Sequence, residues 1–165
     1  MAGVSLAKKK KQQKGSDIEG SQDRGWSDTG ELLGFGVRSF NDRAGRKIQA
    51  YGHTSVRVSH FALVRNMDPD GTRITVLARR AGMTKQAMGQ LVRELTLLGY
   101  VELWQDRTDR RAKLVTYTEK GRRLAGDAAR VVADVHAEFK QVLGKGGMKD
   151  LRKLLSKLAD KFAVS

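Results

Sequence analysis

Cysteine is absent from this 165-residue chain, which removes disulfides, thiolate metal ligands, a cysteine nucleophile and a thiol redox switch in one step. That absence is compatible with a reducing, cytoplasmic setting. No apolar run approaches the ~20 residues that cross a bilayer. The lysines at positions 8–11 are followed by polar residues rather than an apolar signal core, so a soluble, unexported protein with no membrane partner is expected. Gly-x-Ser-x-Gly, a phosphate-cradling loop and Gly-x-Gly-x-x-Gly are all missing, and no catalytic residue is nominated. The chain is therefore not expected to be an enzyme. The three histidines, His53, His60 and His136, lack the close clustering with acidic groups that a zinc site needs, and no metal or cofactor is expected. Proline occurs once, at Pro69, and no linker or repeat divides the interior.

Acidic residues are also scarce, 18 against 32 lysines and arginines, and the formal charge is +14. A soluble protein with that surplus should meet a polyanion, most often nucleic acid, less often an acidic protein or an anionic membrane surface. Residues 1–28 hold six basic and four acidic side chains, only +2 of the total, with Trp26 as the single aromatic. They read as a disordered basic tail, either a solubilising arm or a non-specific phosphate contact. The body, 29–165, carries the rest of the charge and, in a chain that is 39% apolar, enough hydrophobic residues for one core.

Apolar residues Val37, Phe40, Ala44, Ile48 and Tyr51 recur at helical steps, and a second helix is predicted from about Val56 to Met67. Asp68-Pro69-Asp70-Gly71 suits a type I turn. Two short helices follow, the first with Ile74, Leu77, Ala78 and Ala81 on one face, the second capped by Thr84 with Met88, Leu91, Val92 and Leu95 inward. Joined at Gly82, they make a helix-turn-helix. Tyr100–Trp104 and Leu114–Tyr117 alternate as strands around a charged tip. Thr118 can cap a long helix, and a break at 144–147 precedes a last one carrying Leu151, Leu154, Leu155, Leu158 and Phe162.

A helix that reads DNA needs an apolar face to anchor it and a polar or basic face at its N-terminal end. The segment from Thr84 has both, with Lys85, Gln86, Gly89, Gln90 and Arg93 outward and no acid before Glu94. Gly89 inside a helix costs about 1 kcal/mol relative to alanine, which suggests a close approach by DNA or by a neighbouring helix. Arg107, Arg110, Arg111 and Lys113 on the hairpin can neutralise phosphates or enter a minor groove, or form a merely solvated tip. Asp109 can hold one of these guanidinium groups by a bidentate pair.

Three stretches together resemble the multiple-antibiotic-resistance-regulator (MarR) family of winged-helix transcription factors. They are Val76-Leu-Ala-Arg-Arg-Ala-Gly-Met-Thr-Lys85, Leu91-Val-Arg-Glu-Leu-Thr-Leu-Leu-Gly-Tyr-Val-Glu102 and Asp109-Arg-Arg-Ala-Lys-Leu-Val-Thr-Tyr-Thr-Glu-Lys-Gly121. The resemblance, over about residues 31–162, implies a mainly α fold with a small β wing: a winged helix-turn-helix at 72–117, with dimerisation helices at 31–67 and 118–163. It implies that Arg111 enters the minor groove steadied by Asp109, while Lys85, Gln86, Ala87, Gly89 and Gln90 face the major groove. Relatives often carry Ser or Thr at the place of Gly89 and Arg at that of Gln90, so a typical member's base preference does not transfer. The implied function is a homodimeric regulator, a repressor, binding double-stranded DNA at a pseudo-palindromic operator and released by a small aromatic or anionic effector. From their positions, Ser39, Arg43, His53, Arg57, His60 and Phe61 are candidates to line the effector pocket, although His60 also fits a satisfied, partly buried histidine. A basic architectural DNA-binding protein without ligand control is the alternative, and a module for an acidic protein a third.

Overall fold

A computed structural model describes residues 28–106, 109 and 112–162. The predicted tail, with Trp26, and the wing arginines Arg107, Arg110 and Arg111 lie outside the described residues. Helix α1, Thr29–Ala50, starts where the Asp28 carboxylate accepts the Glu31 amide at 2.9 Å, ahead of the apolar stripe that announces it. Ala44 and Ile48 of that stripe are buried, whereas Val37 and Tyr51 are exposed.

The single helix predicted from Val56 to Met67 is not formed. A 3-10 turn at Val58–His60 leads instead into α2, Phe61–Val64, which is one turn long. Arg57 ahead of it is extended, at φ −100° and ψ 157°. Beyond it the Asn66 side-chain amide donates to the Ala62 carbonyl at 2.7 Å, satisfying a terminal acceptor and stopping propagation. The turn at Asp68–Gly71 closes with the Gly71 amide on the Asp68 carbonyl at 3.1 Å.

Next come β1, Thr72–Arg73, α3, Ile74–Arg80, and α4, Lys85–Leu97. Gly82 between the helices has φ +62°, a left-handed conformation that glycine adopts without a Cβ penalty. Strands β2, Val101–Gln105, and β3, Lys113–Tyr117, pair antiparallel with Leu103 opposite Val115. β1 adds to the other edge of β3, Thr72 opposite Val115, giving the order β1-β3-β2. β1 went unpredicted because two residues show no alternation. Helix α5, Glu119–Phe162, is started by the Thr118 hydroxyl accepting the Gly121 amide at 3.1 Å and is interrupted at Gly144, where φ is 70° and ψ 172°.

One core joins these parts. Ile48 of α1, Leu63 of α2, Leu77 of α3, Met88 and Leu95 of α4, Val115 of β3, and Leu124 and Val131 of α5 are all fully enclosed. α1 lies along α5, where Glu138 takes Arg43 at 3.1 Å and Lys47 at 2.9 Å. Those cations hold its carboxyl below the usual range, Lys47 foremost, and Lys47 is raised in turn. Beyond this packing, Leu32, Leu33 and Val37 of α1 and Val142, Leu154, Leu155, Leu158 and Phe162 of α5 remain exposed. Among the described residues no helix is long and apolar enough to cross a membrane.

Candidate nucleic-acid interface

The Thr84 side chain accepts the Ala87 amide at 3.1 Å, so α4 begins with one of its orphan donors satisfied. Met88, Leu91, Val92 and Leu95 face the core. Lys85, Gln86, Gln90 and Arg93 are exposed, and Ala87 and Gly89 are half-buried. A Cβ built on Gly89 would have only Arg93 Nη1, at 3.6 Å, within 4 Å of it. Among the described residues no neighbouring helix accounts for this glycine.

Glu94, the one acid of α4, is turned back toward the body. Its Oε2 accepts His60 Nε2 at 2.8 Å and a short hydrogen bond from the Arg57 guanidinium, and its Oε1 accepts Gln90 Nε2 at 3.2 Å. These donors, His60 first, then Arg57 and Gln90, hold the carboxyl down to about 2. The outward face of α4 is thereby left with cations and amides.

The wing is rooted by Arg73, which sequence reasoning passed over. Its Nε and Nη2 reach Asp106 Oδ2 at 2.7 and 2.6 Å, and its Nη1 lies 3.8 Å from Asp109 Oδ2. Asp106 is buried, and its amide donates to the Ala112 carbonyl at 3.0 Å; the Ala112 amide donates to Asp109 at 2.9 Å. Asp109 thus meets an arginine of β1, besides whatever it offers the wing arginines. Lys113, at the start of β3, is exposed.

The six residues nominated for an effector occupy three separate places. Arg43 reaches α5 through its pair with Glu138, and its guanidinium also donates to the backbone carbonyl of Ser39 at 3.3 Å within α1. His53 is buried between the Tyr100 hydroxyl, 2.9 Å from Nδ1, and Asp127, 3.1 Å from Nε2. Arg57 and His60 meet Glu94, and Phe61 is in the core. An open cleft of about 380 Å³ lies elsewhere, lined by Val64, Met67, Pro69, Tyr117, Arg122 and Ala125. Within that lining the Tyr117 hydroxyl donates to the Val64 carbonyl at 2.5 Å, and burial pushes its pKa up to about 12. No group of three His, Asp or Glu among the described residues could hold a metal ion.

With this geometry in view, the comparison with known families is specific: the model of the MarR family matches residues 58–112, from the 3-10 turn to the base of β3. Over that stretch, about a third of its length, the chain is similar to the MarR family. Its winged-helix arrangement is that of MarR-family transcriptional regulators. A MarR-family transcriptional regulator from Rhodococcus sp. RHA1 is 25% identical, with 82% of this chain and 93% of that chain covered at a TM-score of 0.66. CouR from Rhodococcus jostii RHA1, solved bound to p-coumaroyl-CoA, is 26% identical, covering 84% and 95% at a TM-score of 0.68. A mutant MarR from E. coli complexed with operator DNA is 18% identical, covers 78% and 91% at a TM-score of 0.69, and shares the fold. The comparison with curated protein sequences found no match.

Proposed function

We propose that this chain is a MarR-type regulator: homodimeric, sequence-specific in DNA binding, acting in the cytoplasm as a repressor, and not an enzyme. The observation that carries the reading is α4: capped by Thr84, anchored by four buried apolar residues, and presenting Lys85, Gln86, Gln90 and Arg93 with its only acid turned away. Ala87 and Gly89 lower the profile between those side chains, so backbone can come close to a base edge. The wing, rooted at Arg73, would bring Arg107, Arg110, Arg111 and Lys113 to phosphates or the minor groove, with Asp109 steadying Arg111.

Two copies are needed to cover the apolar residues left exposed at the start of α1 and along the second half of α5. A two-fold pair of α4 helices then implies inverted half-sites about one helical turn apart, ~10 bp. Control by a small aromatic or anionic effector is the finer part of the proposal, supported by CouR, a relative solved with p-coumaroyl-CoA. Of the six nominated residues, Ser39, Arg43 and Arg57 keep exposed atoms that such a molecule could meet, whereas His53, His60 and Phe61 are buried against other partners and are not brought together with them as one pocket. The effector can shift DNA affinity only by its difference in affinity for the two conformations.

The +14 charge favours a second reading, an architectural protein that coats any duplex. Salt titration separates the two. Binding to both a selected and a scrambled duplex weakens as salt rises, but a regulator keeps a ratio of about a thousandfold or more between them, and a coating protein keeps a ratio near one.

A further inference from the structure

His60 is 1% exposed, and both ring nitrogens are engaged. Nδ1 accepts the Arg57 amide at 3.0 Å, which places the ring proton on Nε2, and Nε2 donates to Glu94 Oε2 at 2.8 Å. Arg57 binds the same oxygen through its guanidinium. Burying an imidazole is costlier than burying an aliphatic side chain of similar size, so packing alone does not account for it. Both restraints act on Oε2 and leave Oε1 facing along α4, where it accepts Gln90 Nε2 one helical turn away.

Gln90, like Gln86, is an exposed glutamine of the DNA-facing surface, and of the two it is the one bonded to Glu94; its amide has one acceptor and two N–H donors. With one N–H on Glu94, the carbonyl oxygen and the other N–H remain for adenine N6 and N7. A carboxylate can only accept. Rotating the amide by half a turn would set the Gln90 carbonyl oxygen against Glu94 Oε1, two acceptors face to face. Glu94 therefore fixes which end of the amide is donor and which acceptor, an order that a free glutamine can exchange. The donors on Glu94 lower its pKa, so it is ionised at neutral pH and can only accept.

We infer that Glu94, held by His60 and Arg57, is a positioning residue that sets base preference through Gln90 by locking the amide in the orientation that reads an A·T pair. This rests on the sequence-specific DNA-binding reading above. Glu94 acts without touching DNA, and its effect on preference is confined to the one base pair per half-site that Gln90 meets.

The test is selection of bound duplexes from a random library by the full chain and by Gln90→Ala, Glu94→Gln and the double variant, with melting temperature and affinity for scrambled duplex measured for each. Arg57→Met provides a second route, since it leaves Glu94 in place and removes one of its restraints. Wild type should prefer A·T at one position per half-site by about fivefold to a hundredfold, and Gln90→Ala should abolish that preference. Glu94→Gln should cut the same preference about threefold to tenfold, the worth of a freed glutamine rotamer, leaving the preference at other positions unchanged and tightening all duplexes, scrambled included, by one common factor as a negative charge is lost. Arg57→Met should move that preference in the same direction. In the double variant no further loss should appear. An unchanged profile in Glu94→Gln, a uniform loss at every sequence, or additive losses in the double variant would overturn the inference. If wild type selects a motif that Gln90→Ala leaves intact, only this inference falls; if wild type selects none, the DNA-reading proposal falls with it.

Discussion

Replacing Gly121 by alanine tests how α5 is seated on the winged part. A Cβ at this position would lie 1.9 Å from the Tyr100 carbonyl oxygen, 3.0 Å from its carbon and 3.1 Å from Tyr117 Cδ1. Relief requires α5 and β2 to part by about 1.5 Å, since carbon and oxygen in contact sit near 3.4 Å apart. The carbonyl has little freedom to yield, because it accepts the Thr118 amide at 3.2 Å and the Thr118 hydroxyl at 3.1 Å. Overpacking typically costs about 1–3 kcal/mol, and a clash with anchored backbone belongs at the upper end, near 3 kcal/mol. For a chain of this size that is a fall in Tm of about 6–12 °C. Gly126, on the same helix but exposed with nothing within 4 Å of a built Cβ, should respond with the opposite sign. There alanine gains about 0.5–1 kcal/mol of helix propensity, a rise of about 1–4 °C. The assay is thermal unfolding followed by far-ultraviolet circular dichroism at one fixed protein concentration, because the proposed dimerisation would make Tm concentration-dependent. A Gly121→Ala protein as stable as wild type would refute the seating of α5 against Tyr100.

Leu158→Glu, on the exposed apolar side of α5, should yield a folded monomer by sedimentation; a dimer of unchanged affinity would place the interface elsewhere. Arg73→Met removes a partner of a buried carboxylate and should cost about 1–3 kcal/mol, with faster hydrogen exchange at the Asp106 and Ala112 amides than at α5 amides such as that of Val131. Glu94 has its carboxyl lowered from 4.5 to about 2 in the fold, so its stabilisation is complete above 4.5 and lost as pH falls toward 2. The Tm gap between wild type and Glu94→Gln should accordingly close across that window and stay constant above it. Arg111→Ala should weaken binding to all duplexes and lower the salt slope of affinity while leaving Tm unchanged; equal affinity would remove Arg111 from the interface.

What could be read from the sequence was what is local. Thr84 announced a helix start, and the spacing of Met88, Leu91, Val92 and Leu95 gave both the helix and its buried face, because capping and periodicity act within a few residues. The interruption of α5 was visible in the glycines at 144–147. The segment from Val56 to Met67 misled because its apolar density resembles a helix, while its true course is set by contacts from elsewhere: Arg80 donates to the Asn66 carbonyl at 2.9 Å and to Asp68 at 2.8 Å. Non-local pairs left no trace. Arg73 and Asp106 are 33 positions apart, and His60 and Glu94 are 34 apart, so only the nearby half of the latter network, Gln90 with Glu94, has a recognisable spacing. The apolar stripe at the end of α5 was legible as a stripe, yet in the single chain it stays exposed; the proposed second copy is what would cover it.

The central claim is that two copies of this chain read DNA as a symmetric pair, each placing α4 in a major groove. Sequencing the duplexes retained by the purified protein from a random library tests it most directly. The account predicts an inverted repeat with half-site centres about 10 bp apart. Recovery of sequences without any shared motif, or of a single unrepeated half-site, would contradict it.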